Sequence, residues 1–281
     1  MNIESNEQYH ANEAISHSKL ELFRRRPISY YRRFIAKTVA RPEPTEAFRL
    51  GSAAHCAVLE PKTFWDRYAL RPEGIDRRTK DGKIAFAEFE AANAGKTIIT
   101  QEENNAVCEM VVAARLHPLA SELLSSGQPE LSWRVSPANS LALQCRTDWF
   151  NPAGCELSGG RPYVADLKTV ESLDADAFRN FERACFNFGY HRQAGFYLPL
   201  ITEILGSPVF DFFFIAVEKV EPFGVAVYRL SDDAVARGQD ESIADLRGIK
   251  ACMDSGIWPN IDEKLHELGL PKWYDQRRAL E

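Results

Sequence analysis

LALQCRTDWF (residues 141–150), followed after a glycine-rich loop by PYVADLKTV (162–170), decides the fold class of this 281-residue chain. Upstream of Glu130 the apolar residues recur at helical spacing. From ELSWRV (130–135) onward they alternate, as strands with one buried face require. The three segments therefore read as consecutive strands, the first two joined through Pro137, Ala138 and Asn139 and the last two by NPAGCELSGGR. Ser158-Gly159-Gly160 in that loop lacks the GK[ST] ending and the strand-to-helix setting of a phosphate loop.

Downstream, the spacing predicts a long helix over about 174–205, ending at Gly206-Ser207-Pro208. VFDFFFIAVEK (209–219) follows as a buried strand, FGVAVYRL (223–230) as its hairpin partner, and a helix over about 232–254. Upstream lie helical patterns at about 84–94 and 102–125. The order from residue 102 is thus α-β-β-β-α-β-β-α, an α/β fold with a mixed sheet flanked by helices. Nearer the N-terminus, Ser16 or Ser18 can start a helix through KLELFRRRPISYYRRFIAK, bent or broken at Pro27. RPEPTE (41–46) is a loop, FRLGSAAHCAVLEP (48–61) a short helix rich in small residues, and RPEGIDRRTKDGK (71–83) a mobile loop. The tail from Gly256 carries Trp258, Trp273 and Tyr274 and is expected to pack on the body. One domain over 1–281 is expected: a helical N-terminal extension (1–100), an α/β core (101–255) and the tail (256–281).

Composition is that of a globular protein, with 45% hydrophobic and 26% charged residues, and no apolar run is long enough to span a bilayer. The polar N-terminus resembles neither a signal nor a transit peptide, so a cytoplasmic location without a membrane partner is expected. The six cysteines form no CxxC pair and no Cys/His spacing suited to zinc. Net charge is −6, unevenly spread: residues 1–100 carry 17 Lys/Arg against 13 Asp/Glu, the remainder 17 against 27. Lys19–Arg41 holds eight basic residues and one acid, Glu21. Such a segment can hold a polyanion locally, or it can be a solvated helix face.

Asp148 stands near the end of the second strand and Asp166-Leu167-Lys168 near the end of the third. If these strands are neighbours, the two carboxylates converge at one edge, and Asp166 and Lys168 share a face. A hard divalent cation takes oxygen ligands of this kind, and a nearby lysine can orient a water and steady a phosphate. The alternative is a cross-strand ion pair. Gln193 and Tyr197, four apart, lie on one helix face with Tyr190 a turn earlier. His55, after Gly51-Ser52-Ala53-Ala54, can be a ligand or a packing histidine.

Taken in order, GxxxH (51–55), Asp148, DxK (166–168) and QxxxY (193–197) resemble the motif series of the PD-(D/E)XK nucleases of the RecB-like group. GSAAHCAVLEP, CRTDWF, VADLKTV and FGYHRQAGFY, with the opening ISHSKLELFRRRP, look most like the RecE (exonuclease VIII) type of phage and prophage exonuclease. The likeness spans roughly residues 15–230. One departure is Thr147, where the name-giving motif has proline. The resemblance implies that His55, Asp148, Asp166 and the Leu167 carbonyl bind Mg²⁺ or Mn²⁺. It also implies that Lys168 activates the attacking water and that Gln193 and Tyr197 support water and phosphate. Glu130 could reach a second metal, but is expected as a solvent-facing strand residue. The family further implies 5′→3′ digestion of linear double-stranded DNA by a ring-shaped homo-oligomer (trimer or tetramer), leaving a 3′ overhang for a single-strand annealing protein in recombination. Arg24, Arg25 and Arg26 suit a phosphate because guanidinium forks match its geometry. Two other functions stay open: a RecB-like nuclease on single-stranded or flap DNA, and a non-catalytic DNA-binding protein on a nuclease fold.

Overall fold

In the computed structural model, which describes residues 2–40, 45–136, 141–173, 177–260, 265 and 267–269, the alternating segments are all strands. They are β1 (Asn2–Ile3), β2 (Tyr68–Leu70), β3 (Thr97–Ile99), β4 (Gln128–Val135), β5 (Leu143–Asn151), β6 (Tyr163–Val170), β7 (Asp211–Glu218) and β8 (Val225–Arg229). Six form one sheet in the order β1-β4-β5-β6-β7-β8, while β2 and β3 pair separately. Within the large sheet only β6 and β7 run parallel, so the chain must cross over between them through helices.

The helices are α1 (Asn6–Ala11), α2 (His17–Arg25), α3 (Pro27–Tyr30), α4 (Glu46–Leu59), α5 (Phe64–Arg67), α6 (Lys80–Ala92), α7 (Gln101–Leu116), α8 (Pro118–Leu123), α9 (Ala177–Phe188), α10 (Tyr190–Leu205) and α11 (Asp232–Ser255). The sheet separates two apolar layers. On one face Val164, Phe212 and Phe214 pack with Leu20 and Phe23 of α2, Ile201 of α10 and Ile249 of α11. On the other, Tyr163, Leu167 and Phe213 pack with Val58 of α4, Met110 of α7 and Leu123 of α8. Every residue of β7 is buried, as a strand covered on both faces must be.

Several boundaries differ from the sequence expectation, each for a local reason. The single helix over 174–205 is two helices, α9 and α10, broken at Gly189 with φ 71°. That left-handed conformation is strained for any residue with a Cβ, so the break favours glycine. The pattern over 102–125 divides at Pro118, which starts α8, while His117 caps it through its ring. Pro27 likewise opens α3, followed by a π-helical turn over Tyr31–Ile35. Within RPEGIDRRTKDGK, helix α6 begins at Lys80. Helix α1, with its Ser5–Gln8 capping box, and the three-residue strands β2 and β3 carry too little pattern to be read from sequence. The 137–139 turn, RPEP (41–44), and Trp273 and Tyr274 of the tail lie outside the described residues. Trp258 does pack, with ring centroids 5.8 Å from Tyr30 and 5.3 Å from Tyr31.

Helix α10 is held by an unusually close crossing with α11. A Cβ on Gly195 would lie 2.2 Å from the Gln239 backbone nitrogen, and one on Gly238 2.0 Å from the His191 carbonyl. Among the described residues no helix is long and apolar enough to cross a membrane.

Candidate metal centre

The centre forms where two strands part. β5 and β6 pair only through Trp149–Ala165, Phe150–Val164 and Asn151–Tyr163. One step beyond, Asp148 and Asp166 would face each other, but the ladder has opened. The Leu167 N–H instead donates to Asp148 Oδ2 at 2.9 Å, and the Leu167 carbonyl lies 2.5 Å from His55 Nε2. His55 Nδ1 is 3.5 Å from Asp148 Oδ2. α4 can deliver His55 because Gly51 lies against β6: a Cβ at Gly51 would be 3.0 Å from Thr169 Oγ1. The GxxxH spacing thus places a close-approach residue one turn before the imidazole.

Glu130 belongs to the same centre, which corrects its expected place as a solvent-facing strand residue. Cys145 and Phe150 of β5 face one apolar layer while Trp149 faces the other. Two residues five positions apart cannot share a face by strict alternation, so the facing of β5 changes around Asp148 although its register with β4 is unbroken. Opposite that change, Glu130 has φ 51° and stands between the Pro129–Trp149 and Leu131–Thr147 pairs. A left-handed non-glycine residue costs about 1–3 kcal/mol and persists only where its surroundings enforce it. Here it brings ligand atoms of His55, Glu130 and Asp148 within 4.8 Å of one another. Glu130 Oε2 also meets Arg146 Nε at 2.9 Å, and its side chain is 20% exposed.

A second group of side chains adjoins the first on the opposite side of Leu167. Gln193, from α10, donates its amide to Asp166 Oδ2 at 2.5 Å and accepts from Lys168 Nζ at 3.0 Å. Lys168 Nζ lies 2.5 Å from Asp166 Oδ1 and 4.6 Å from the Tyr190 ring centroid. Tyr197 is buried, with ring contacts to Phe196 and Phe212. Burial first, then Tyr9, Cys145 and the two aspartates, push its phenol well above the usual range. Asp148, His55 and Leu167 thus form one cluster with Glu130, while Asp166, Lys168 and Gln193 form the adjoining one, and Tyr197 lies deeper in the apolar layer.

Electrostatics favour an added cation. Burial raises the carboxyls of Asp148, Asp166 and Glu130, and Asp148 further raises Asp166. Burial alone would lower the Lys168 ammonium, but Asp166 and Asp148 outweigh it and hold the group above its ordinary range. Asp166 Oδ1 is buried, with the Lys168 ammonium 2.5 Å away as its counter-charge. A buried carboxylate oxygen of this kind fits a ligand position for a hard divalent ion. The residues that could hold such an ion are His55, Glu130 and Asp148, with the Leu167 carbonyl and Asp166 adjoining.

The N-terminal arginines divide. Arg24 is turned onto α11, 3.0 Å from Asp245 and 3.4 Å from Glu241, whereas Arg25 and Arg26 are exposed. Lys19 is buried and donates to the carbonyls of Asn12, Glu13 and Ala14, so part of the basic segment is structural. All six cysteines are free.

Comparison with known proteins agrees with this architecture. A crystal structure from Eubacterium rectale described as a "putative exonuclease" superposes with a TM-score of 0.63 over 99% of each chain, at 14% identity. At that identity the likeness concerns the fold. No curated protein matches the chain. The model of a family described as "PDDEXK-like domain of unknown function (DUF3799)" matches residues 16–267, from the start of α2 to beyond the end of α11. The chain therefore belongs to this PDDEXK-like family, and its fold is that of the PD-(D/E)XK nucleases.

Proposed function

We propose that the chain is a divalent-metal-dependent DNA exonuclease acting 5′→3′ on linear duplex ends and leaving 3′ single-stranded overhangs. The observation that carries this reading is the fork itself. At the point where β5 leaves β6, ligand atoms of His55, Glu130 and Asp148 lie within 4.8 Å of one another, the Leu167 carbonyl meets His55, and the Asp166–Lys168 ion pair adjoins them. His55, Glu130, Asp148 and the Leu167 carbonyl would hold Mg²⁺, or Mn²⁺ in its place, with Asp166 joining from the adjoining cluster. When bound, the ion would supply Lewis acidity at the scissile phosphate and offset the charge of the carboxylates. Lys168, kept charged by Asp166 and Asp148, donates to the phosphate and orients the attacking water. Gln193 fixes the Lys168–Asp166 pair from above, since its amide engages both.

The direction of digestion, a ring-shaped trimer or tetramer, and a single-strand annealing partner rest on the likeness of the motifs to the RecE type. Digestion of an end-labelled linear duplex, with and without Mg²⁺ and beside a circular duplex, tests the proposal. Loss of label from the linear form in Mg²⁺ alone is expected, with Asp166→Ala and Lys168→Ala lowering the rate at least about 10²–10³-fold. Undiminished cutting by either variant would move the active centre elsewhere. Substrates blocked at the 5′ or the 3′ end, and single strands, decide the polarity and the flap alternative.

A further inference from the structure

Beside Lys168 the surface opens into a recess of about 420 Å³, walled by Phe181, Phe188 and Tyr190 with Ser172, Asn180 and Lys219 among its lining. Its near wall is shared with the centre, because the Tyr190 ring that lines it also faces Lys168 Nζ at 4.6 Å. The walls are aromatic and braced. Phe181 is buried and stacks on Tyr228 with centroids 4.2 Å apart and planes 5° off parallel. Phe188 stacks on Tyr190 at 5.8 Å and 27°, yet stays 58% exposed. Two residues earlier Phe186 is 73% exposed. Phe186 stacks on His191 outside the recess, whereas Phe188 keeps an open aromatic face in its lining.

We propose that this recess binds an unpaired nucleobase of the strand being cut, stacked on the exposed face of Phe188, whose other side rests on Tyr190. The inference rests on the nuclease function proposed above and extends it to how the substrate is gripped. A phosphate held at Lys168 leaves the adjoining base near the Tyr190–Phe188 stack, and the open face of Phe188 stacks any base regardless of sequence. Lys219 and the 82% exposed Glu171, both in the lining, form an ion pair, so the far wall carries no net charge and the grip on a base is aromatic. A base inside a duplex is covered above and below by its neighbours, so only one released from its stack can enter. The recess therefore selects frayed or single-stranded ends over intact internal duplex.

The test uses the whole chain with Ca²⁺ in place of Mg²⁺ and labelled duplexes carrying an abasic residue at each of the first three positions of either strand. One abasic position should weaken binding by the wild type about 5- to 150-fold, the range of a single base stack. Phe188→Ala should bind natural and abasic ends alike, whereas Phe188→Tyr should keep the distinction. Phe210→Ala, 55% exposed just before β7, should also keep it. The proposal is overturned if Phe188→Ala still discriminates, or if the wild type ignores every abasic position while cutting linear duplex in Mg²⁺. A wild type that cuts no DNA in Mg²⁺ overturns the nuclease function itself, and the recess proposal falls with it.

Discussion

Helix propensity and packing give opposite answers for Gly195→Ala, which makes it a sharp test of the α10–α11 crossing. Alanine stabilises a helix interior by about 1 kcal/mol over glycine. At this position, however, the new Cβ would stand 2.2 Å from Gln239 N, 2.4 Å from the Gly238 carbonyl carbon and 2.7 Å from Val235 O. Ordinary contact begins near 3.4 Å, and every one of these neighbours is backbone, so no side-chain rotation can relieve the clash. The helices must separate by about an ångström. α11 has few buried residues and forms the outer layer, so it moves outward. That shift loosens the Arg24–Asp245 and Arg192–Glu241 contacts and the Ser242 hydrogen bond to the Arg192 carbonyl.

Overpacking usually costs about 1–3 kcal/mol, and rigid neighbours place this site at or above the upper end. After the propensity gain, a net loss of about 2 kcal/mol remains, a large share of a typical ~5–15 kcal/mol stability. Thermal unfolding should show it as a drop of about 3–4 °C. The double variant Gly195→Ala/Gly238→Ala should lose less than the sum of the single losses, since one outward shift serves both added methyls. A Gly195→Ala protein as stable as the wild type would refute the close crossing. Additive losses would show that the two glycines are accommodated independently.

The other predictions concern charge. Glu130→Gln should weaken Mn²⁺ binding by calorimetry about tenfold or more while leaving the fold intact; unchanged affinity would remove Glu130 from the donor set. Glu21 should stabilise the packing of α2 on α10 in a pH-dependent way. Burial would raise its carboxyl, but His17 and the Arg192 fork, at 2.5 and 2.9 Å, win and bring it down from 4.5 to about 2. A depressed carboxyl contributes stability that is complete above pH 4.5 and disappears as pH falls towards about 2. The stability gap between wild type and Glu21→Gln should therefore be constant near neutrality and close over that acid range. A gap that persists at pH 2 would contradict the ion pair.

Much of the α/β architecture was legible because the sequence carries it locally. The change from helical to alternating spacing at Glu130 marks where the sheet begins in earnest, and the all-apolar run of β7 marks a strand covered on both faces. What periodicity could not supply was the backbone reason for a break. Gly189 divides α9 from α10 because the chain turns there through a left-handed conformation that glycine adopts without strain, and the turn aims Tyr190 and Gln193 at Lys168. The basic segment misled in part for a tertiary reason. Lys19 and Arg24 are consumed by a helix end and by α11, which a count of charges cannot reveal.

The same distinction runs through the site. Asp166 and Lys168 were legible as a pair because the strand period puts them on one face, whereas Gln193 was tied to them by the motif series the chain resembles; side-chain contacts join all three. Glu130 was not legible, and the cause is specific. Simple alternation cannot assign its side chain, because the facing of β5 changes at Asp148 while Glu130 itself takes φ 51°. A positive φ at a glutamate leaves no trace in composition or period. Counting back from Asp148 across the β4–β5 register does place Glu130 directly opposite it, since Pro129 pairs with Trp149 and Leu131 with Thr147. A carboxylate opposite a candidate ligand was thus the available signal, and the hairpin register was the missing information. The strained residue also says what the fold gives up for the centre. A glycine at 130 would relax the backbone but leave His55 and Asp148 without their third donor.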